Sequence, residues 1–322
     1  MIDYSKDIIL NSNLSLRRNI KGFDFPKTMT LDDSLKVIDI FRKIYGDKLI
    51  LLEDLDETSL NKLLASFALS KNFDKGSRQI GLVFEDDYIL TINDKDHLAI
   101  NIIDFNMDIK NAYKKAMEVE GKLDKVMDFA FSAKLGFLTS SARNTGSGLE
   151  IFLKTFLFGL IDSNEAYFGL KQALMADGIF INKYRPYRDR PYSDDIYILK
   201  NVGNYRKDMD SYLAKIEENL DVIVRNERRF RRDYKLLNKI EDEEIEDKIN
   251  LILNNLDQGL LKSLDQIVKN LYELKKYRAL DFDTRLSPNE IDYLIFNLSK
   301  TKYKGNRNER RYKFLKEYME GR

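Results

Sequence analysis

Between residues 79 and 103 the chain changes its period, and this limits the folds open to it more than any other feature. Ile80 to Phe84, Tyr88 to Asn93 and Leu98 to Ile103 are short β-rich runs. Glu85-Asp86-Asp87 and Asp94-Lys95-Asp96 separate them, the polar turn chemistry expected of an antiparallel meander. On either side the spacing is helical. Residues 31–72 read as helical, with Leu35, Val37, Ile38, Ile40, Phe41 and Ile44 apolar. After the meander, Ile109, Ala112, Ala116, Val119, Leu123, Val126 and Met127 recur at steps of three and four, which predicts a long amphipathic helix.

A Gly/Ser-rich loop from Thr139 to Gly148 then leads into the apolar run Ile151 to Leu160. Gly178 to Tyr184 and Ile196 to Val202 read as strands around a polar loop rich in Arg and Tyr. Strands with helices between them, paired as a meander at the centre, predict an α+β domain on a largely antiparallel sheet flanked by helices. From about residue 204 the pattern is helical. Met209, Leu213, Ile216, Leu220 and Ile223 form one stripe, and Leu260, Leu261, Leu264, Ile267, Val268, Leu271 and Leu274 another. Ser287-Pro288-Asn289-Glu290 is a helix start with a capping box and proline at the first helical position. That helix turns Ile291, Leu294, Ile295 and Leu298 inward. A boundary near 230 is therefore expected, with residues 1–230 forming the α+β domain and 231–322 an all-helical one.

Charge and composition exclude several function classes. Lys and Arg total 54 against 53 Asp and Glu, so no bulk charge draws the chain to nucleic acid or an acidic membrane surface. The absence of cysteine removes disulfides, thiolate metal sites and a thiol nucleophile. Met1 to Asp7 lacks the basic start and apolar stretch of a secretory signal, and no segment nears the ~20 apolar residues that span a bilayer. The expectation is a cytoplasmic protein with a real core, 43% of its residues being hydrophobic.

Three strings carry a family resemblance. Asn93-Asp94-Lys95-Asp96-His97 resembles the acidic Asn-Glu-Glu-Asp-His signature of the ATP:guanidino phosphotransferases, the phosphagen kinase superfamily. Thr139-Ser140-Ser141-Ala142-Arg143-Asn144-Thr145-Gly146 is similar to that family's Thr-Ser-Cys-Pro-Thr-Asn-x-Gly loop. Asn11 to Asn19, continued by Phe23-Asp24-Phe25-Pro26, resembles its N-terminal Ser-Ser-Arg-x-Arg-x-x-Arg-Asn segment. Order and spacing agree, and the helical C-terminal part points to the bacterial protein arginine kinase branch.

What the resemblance implies is chemistry that the residues here do not supply. Phosphoryl transfer needs charge stabilisation on the transferring phosphate, which the family provides with arginines binding phosphate oxygens bidentately. The two N-terminal phosphate arginines correspond to Asn13 and Ser15. The one after the acidic signature is Ala99, the one after the Gly-rich loop is Glu150, and one on a later strand is Asn182. The catalytic carboxylate position reads Lys95, between Asp94 and Asp96, and the cysteine reads Ser141. Together these seven changes imply a pseudokinase, with no cofactor. The alternative is an active ATP:guanidino phosphotransferase, using Mg-ATP, in which Arg17, Arg18 and Arg143, with Arg185, Arg188 and Arg190 nearby, rebuild the phosphate site. His97 is the only histidine and is expected to hydrogen-bond structurally.

In the tail, Arg307-Asn308-Glu309-Arg310-Arg311 is similar to the Arg-Asp-x-x-Arg-Ala motif with which protein arginine kinases bind phosphoarginine. Arg307 and Arg311, four apart on one helix face, would clamp one phosphate. A charged helix end complementing the dipole is the competing reading. Arg225 to Arg232 is the densest basic run. With little aromatic interleaving it reads as structural or as a dimer interface rather than a nucleic-acid patch. By resemblance, the expected partners are proteins: an active arginine kinase or a Clp-type quality-control machine, a phosphoarginine protein, and a second copy of the chain as a homodimer. No nucleic acid and no membrane is expected.

Overall fold

The computed structural model describes residues 7–70, 79–105, 107–184, 193–202, 208–261, 263–298 and 307–320. The first strand, β1 (Ile9–Arg18), is followed by α1 (Leu31–Tyr45), β2 (Leu49–Leu51) and α2 (Glu57–Ala65). The meander is β3 (Gly81–Phe84), β4 (Ile89–Ile92) and β5 (Leu98–Ile103). After α3 (Ile109–Leu123) come the small hairpin β6 (Phe131–Ser132) and β7 (Gly136–Phe137), then β8 (Leu149–Phe156), α4 (Phe158–Asp162) and α5 (Asn164–Ala176). The strands β9 (Ile179–Lys183) and β10 (Ile196–Asn201) complete the sheet. The rest is helical: α6 (Met209–Asn238), α7 (Asp242–Asp257), α8 (Leu264–Arg278), α9 (Pro288–Leu298) and α10 (Arg307–Glu320).

Eight strands form one antiparallel sheet in the order β2-β3-β4-β5-β1-β8-β10-β9. Side chains alternate between its faces. Leu14, Leu16, Leu98, Ile100, Leu149, Ile151 and Leu153 join the main core with residues of α1, α3, α5 and α6. This is the α+β, largely antiparallel architecture expected from the sequence, with a helical C-terminal region. Among the described residues no helix is long and apolar enough to cross a membrane.

Four sequence expectations need correction. Residues 31–72 are not one helical stretch: Gly46 leaves α1 at φ 56, Leu49–Leu51 pairs with β3 as an edge strand, and Asp56 caps a new helix by accepting from the Thr58 and Ser59 N–H groups. Residues 71 and 72 lie outside the described residues. The helix α3 stops at Leu123, so Val126, which is exposed, and Met127 lie beyond it. The run Ile151 to Leu160 is strand and then helix, divided at Leu157. Finally, residue 230 falls inside α6, which continues to Asn238 and ends at Lys239 in the left-handed region. The cores change there, yet a third cluster joins Phe156, Phe158 and Ile196 to Tyr234, Val268 and Tyr272 across the change.

One anchor explains why α6 runs unbroken through its basic stretch. Glu227 is fully buried and accepts from the N–H groups of Gly159 (3.1 Å) and Leu160 (2.8 Å) at the start of α4. Arg231 donates to Glu227 (2.7 Å), to Asp7 (2.6 Å) and to the Phe156 carbonyl (2.9 Å). A Cβ on Gly159 would stand 2.8 Å from the Arg231 backbone nitrogen, so only glycine lets α4 approach this closely.

The C-terminal helices pack around Ile249, Leu253, Leu271, Leu274, Ile291 and Leu294. The expected capping box of α9 is formed, with Ser287 and Glu290 exchanging hydrogen bonds. The connection before α8 depends on Gly259, at φ 66, where an added Cβ would fall 1.8 Å from the Tyr312 ring of α10. Gly259→Ala should therefore cost about 2 kcal/mol or more, since left-handed strain and a clash add together. Urea unfolding checks this; an unchanged midpoint would show that α7 and α10 do not meet at this turn.

Candidate functional site

The face of the sheet opposite the main core is polar and nearly closed. Register places Ser15 opposite both Asn101 and Glu150, Asn13 opposite Phe152, Arg17 opposite Ala99, and Phe152 opposite Lys200. Directly opposed residues share a face. Four of the five positions that the resemblance assigns to phosphate arginines, Asn13, Ser15, Ala99 and Glu150, are thus brought together on β1, β5 and β8, all buried. Asn182 is separate: it is exposed on the edge strand β9, with β10 between it and Glu150's strand.

Glu150 organises this face. Its carboxylate accepts from Arg17 at 2.7 Å through both Nε and Nη2, and pairs with Lys200. Lys95, from the acidic turn, lies 3.9 Å away. Burial alone would push the Glu150 carboxyl up, but Arg17, then Lys95 and Lys200, outweigh it and hold it far below the usual carboxylate range. Asp96 stands 3.8 Å from Arg17, and Asp94 also acts on that guanidinium. Arg17, Lys95 and Lys200 are therefore balanced by Glu150, Asp94 and Asp96. Among the described residues of this cluster, no cation is left without a carboxylate near it.

The acidic turn is a clasp. Asp96 accepts from the Asn19 side chain and the Ser140 N–H, each at 2.7 Å, while the His97 N–H donates to Asn19 Oδ1 at 2.9 Å. Asp94 accepts from the Ser70 N–H (2.9 Å) and the Ser70 hydroxyl. His97 Nδ1 accepts from the Ile20 N–H at 3.0 Å, which requires the Nε2–H tautomer, and Nε2 donates to the Asp24 carbonyl at 3.0 Å. The expected structural role of His97 is what the geometry displays. Both aspartates are occupied by the protein's own donors.

The Gly-rich loop passes directly over the end of β1. A Cβ on Gly148, at φ 70, would fall 2.4 Å from the Arg17 carbonyl oxygen. Arg18 ties the loop down, donating to the Ser147 carbonyl (2.9 Å) and to Glu120 (2.8 Å), with its guanidinium 3.5 Å from the Phe137 ring centre. Of the three arginines expected to substitute in a rebuilt phosphate site, Arg17 and Arg18 are thus spent on internal ion pairs. Arg143 is exposed on the loop. Arg185, Arg188 and Arg190 lie outside the described residues. Ser141 is half-buried, its carbonyl closing the turn by accepting from the Thr139 hydroxyl (2.8 Å) and the Asn144 N–H (2.9 Å).

The sequence reading missed the cover over this face. The segment after α2 lies across it, with Phe67 at φ 60 stacked on Phe152, ring centres 5.1 Å apart. Thr91 donates to the Ala68 carbonyl at 2.7 Å, and Leu63, Ala68 and Leu69 pack on Leu82. Lys200 places its ammonium 4.7 Å from the Phe152 ring. The alternation in Ile196–Asn201 held a signal for Lys200, a cation on a strand otherwise mostly apolar. Nothing in Ser66-Phe67-Ala68-Leu69 distinguishes a cover from a core helix end.

A nucleotide's phosphates do not fit these residues. A fixed buried carboxylate occupies the charge-reversed position, and the cations around it are already neutralised. Asn13 Oδ1, Ser15 Oγ and Arg17 Nη1 remain buried without a hydrogen-bond partner, an acceptor and two donors where an anion site would need converging donors. In the tail, α10 includes Arg307 and Arg311 one turn apart, as the spacing implied; the Arg307 side chain lies outside the described residues.

Comparison with known proteins agrees with this fold. Residues 35–176 match the family model described as ATP:guanido phosphotransferase, C-terminal catalytic domain. The chain is 27% identical over 300 residues to the protein-arginine kinase of Caldanaerobacter subterraneus subsp. tengcongensis, covering 89% of this chain and 84% of that protein. It is 25% identical over 289 residues to that of Clostridium perfringens, covering 85% and 79%. Among solved structures, the duplicated taurocyamine kinase of Schistosoma mansoni with bound transition state analog components superposes with a TM-score of 0.57 at 18% identity. That match covers 70% of this chain and spans 34% of the duplicated one. Lombricine kinase gives 0.56 at 14% identity, covering 74% and 70%. The fold is that of the phosphagen kinases. Residues 35–176 are thus similar to the catalytic domain of the ATP:guanido phosphotransferases, and the chain over most of its length to bacterial protein-arginine kinases.

Two measurements test this geometry. Glu150→Gln should cost about 3 kcal/mol or more in urea unfolding, because it leaves Arg17 buried beside Lys200 without its closest counter-charge; a neutral effect would show that Glu150 does not hold the face together. Burial, against the weaker pull of the Asp24 carbonyl and Asp96, pushes His97 down to about 4. The unfolded chain then binds the proton first as pH falls, so stability drops by about 2 kcal/mol between pH 7 and 5. His97→Gln should flatten this slope, and an equal slope in the variant would assign the effect elsewhere.

Proposed function

We propose that this protein is a protein-arginine-kinase relative that has given up phosphoryl transfer and acts by binding. The observation that supports the reading is Glu150. An active site must present unpaired positive charge to the nucleotide phosphates, whereas here a carboxylate at that position has drawn Arg17, Lys95 and Lys200 onto itself. The Phe67–Ser70 segment covers the same face. With the scaffold kept and the chemistry closed, the remaining output is recognition of a protein: an active arginine kinase or a Clp-type machine. Arg307 and Arg311 on α10 are the residues suited to a phosphoarginine on such a partner, and a homodimer would form through the helical region.

The names of the relatives favour a second reading, an active protein arginine kinase with a rearranged site. One experiment separates the two. The protein is incubated with Mg-ATP labelled at the γ-phosphate and an unfolded arginine-rich protein, alone and then with an active protein-arginine kinase. Our reading expects no label transfer alone and a changed rate in the mixture. Transfer by the protein alone would overturn it, and an unchanged rate in the mixture would remove the active kinase as the partner.

A further inference from the structure

The basic run on α6 divides into two sets with different surroundings. Glu227 and Arg231 are buried and serve the α4 anchor. The others, together with Arg231, border a cavity of about 780 Å³ between α6, Asp7 and the turn after α8 at Ala279, Leu280 and Asp281. Arg225, Arg228, Arg229, Arg232 and Lys235 line it. Their spacing of three and four puts them on one side of the helix. Lys235 pairs with Asp242 at 2.6 Å, and Arg228 lies 3.8 Å from Asp7. Arg225, Arg229 and Arg232 make no ion pair among the described residues. Of the lining carboxylates, Asp7 is shared between Arg231 and Arg228, which leaves Asp281 as the lining carboxylate for Arg225, Arg229 and Arg232.

Like charges one turn apart repel by a few tenths of a kcal/mol per pair, and nothing in the fold requires them here, since the anchor uses Arg231 alone. A concave wall of guanidiniums is matched by phosphate oxygens, which arginine binds bidentately. The volume falls in the range of small-molecule sites, roughly 300–1,000 Å³. Among the described residues no aromatic side chain lines the cavity, so they offer nothing on which to stack a nucleobase. We infer that this cavity binds a compact, multiply phosphorylated small anion, recognised through its phosphates. The site is separate from the sheet face of the kinase fold and does not depend on whether that face is active.

The test is calorimetric titration with inorganic triphosphate at ~0.15 M salt, where weak surface attraction is screened over about 8 Å. Three proteins are compared: the full chain, Arg229→Gln with Arg232→Gln, and a control with Lys114→Gln and Lys122→Gln on α3. The replaced α6 and α3 side chains are all exposed, so each pair removes two charges without opening the core. Triphosphate should bind the full chain and the control with equal affinity, and the α6 variant at least tenfold more weakly. Absent binding, or equal weakening in both variants, would overturn the inference. So would tenfold tighter binding of a single-stranded oligonucleotide at equal phosphate concentration, which would make the wall a nucleic-acid surface.

Discussion

The polar face of the sheet depends on one buried ion cluster, Glu150 held by Arg17 and Lys200 with Lys95 at its margin. A lone carboxylate there would be prohibitively costly, and so would a lone Arg17. Each makes the other tolerable. Once they are paired, β1 and β8 can be buried on both faces, with Phe67 settled over Phe152 of β8 and Ala68 over Thr91 of β4. The same cluster positions the acidic turn through Asp96, and that turn holds Asn19, Ser140 and His97. Loop, turn and strand are thus held in a kinase-like arrangement by the protein's own groups.

The substitutions read from the sequence acquire a common physical cause in this light. Arginine at positions 13, 15 and 99 together with Arg17 would be intolerable on a closed face without phosphates. Asn13, Ser15 and Ala99 are what such a face can bury, and Asn13 bonds the Asn101 side chain at 3.2 Å. Glu150 goes further and supplies the negative charge itself. On our reading the carboxylate stands where the resemblance places a phosphate-binding arginine, which would account for a charge reversal as well as a loss.

Much of this was legible beforehand. The meander, the antiparallel sheet and the capped helix at Ser287 follow from turn chemistry and periodicity, which are local. The grouping of Asn13, Ser15, Ala99 and Glu150 came from resemblance, since no spacing along the chain links β1 to β8. What escaped was set by tertiary contact. Leu49–Leu51 is a strand because β3 offers it an edge. Arg17 and Arg18 look free in sequence, but burial commits them to Glu150 and Glu120. The boundary expected near 230 rested on where the pattern turns wholly helical, which does not show that Glu227 and Arg231 are an internal anchor within α6, a helix that runs to Asn238.

The central claim is that the phosphate face is closed by the protein's own groups. Hydrogen–deuterium exchange of the peptides covering β1, β8 and the Phe67–Ser70 segment, with and without millimolar Mg-ATP, reads that face alone and is blind to anions bound on α6. The account expects identical exchange in all three peptides. New protection in β1 and β8, or faster exchange of Phe67–Ser70 as it is displaced, would mean that a nucleotide opens the face, and would contradict it.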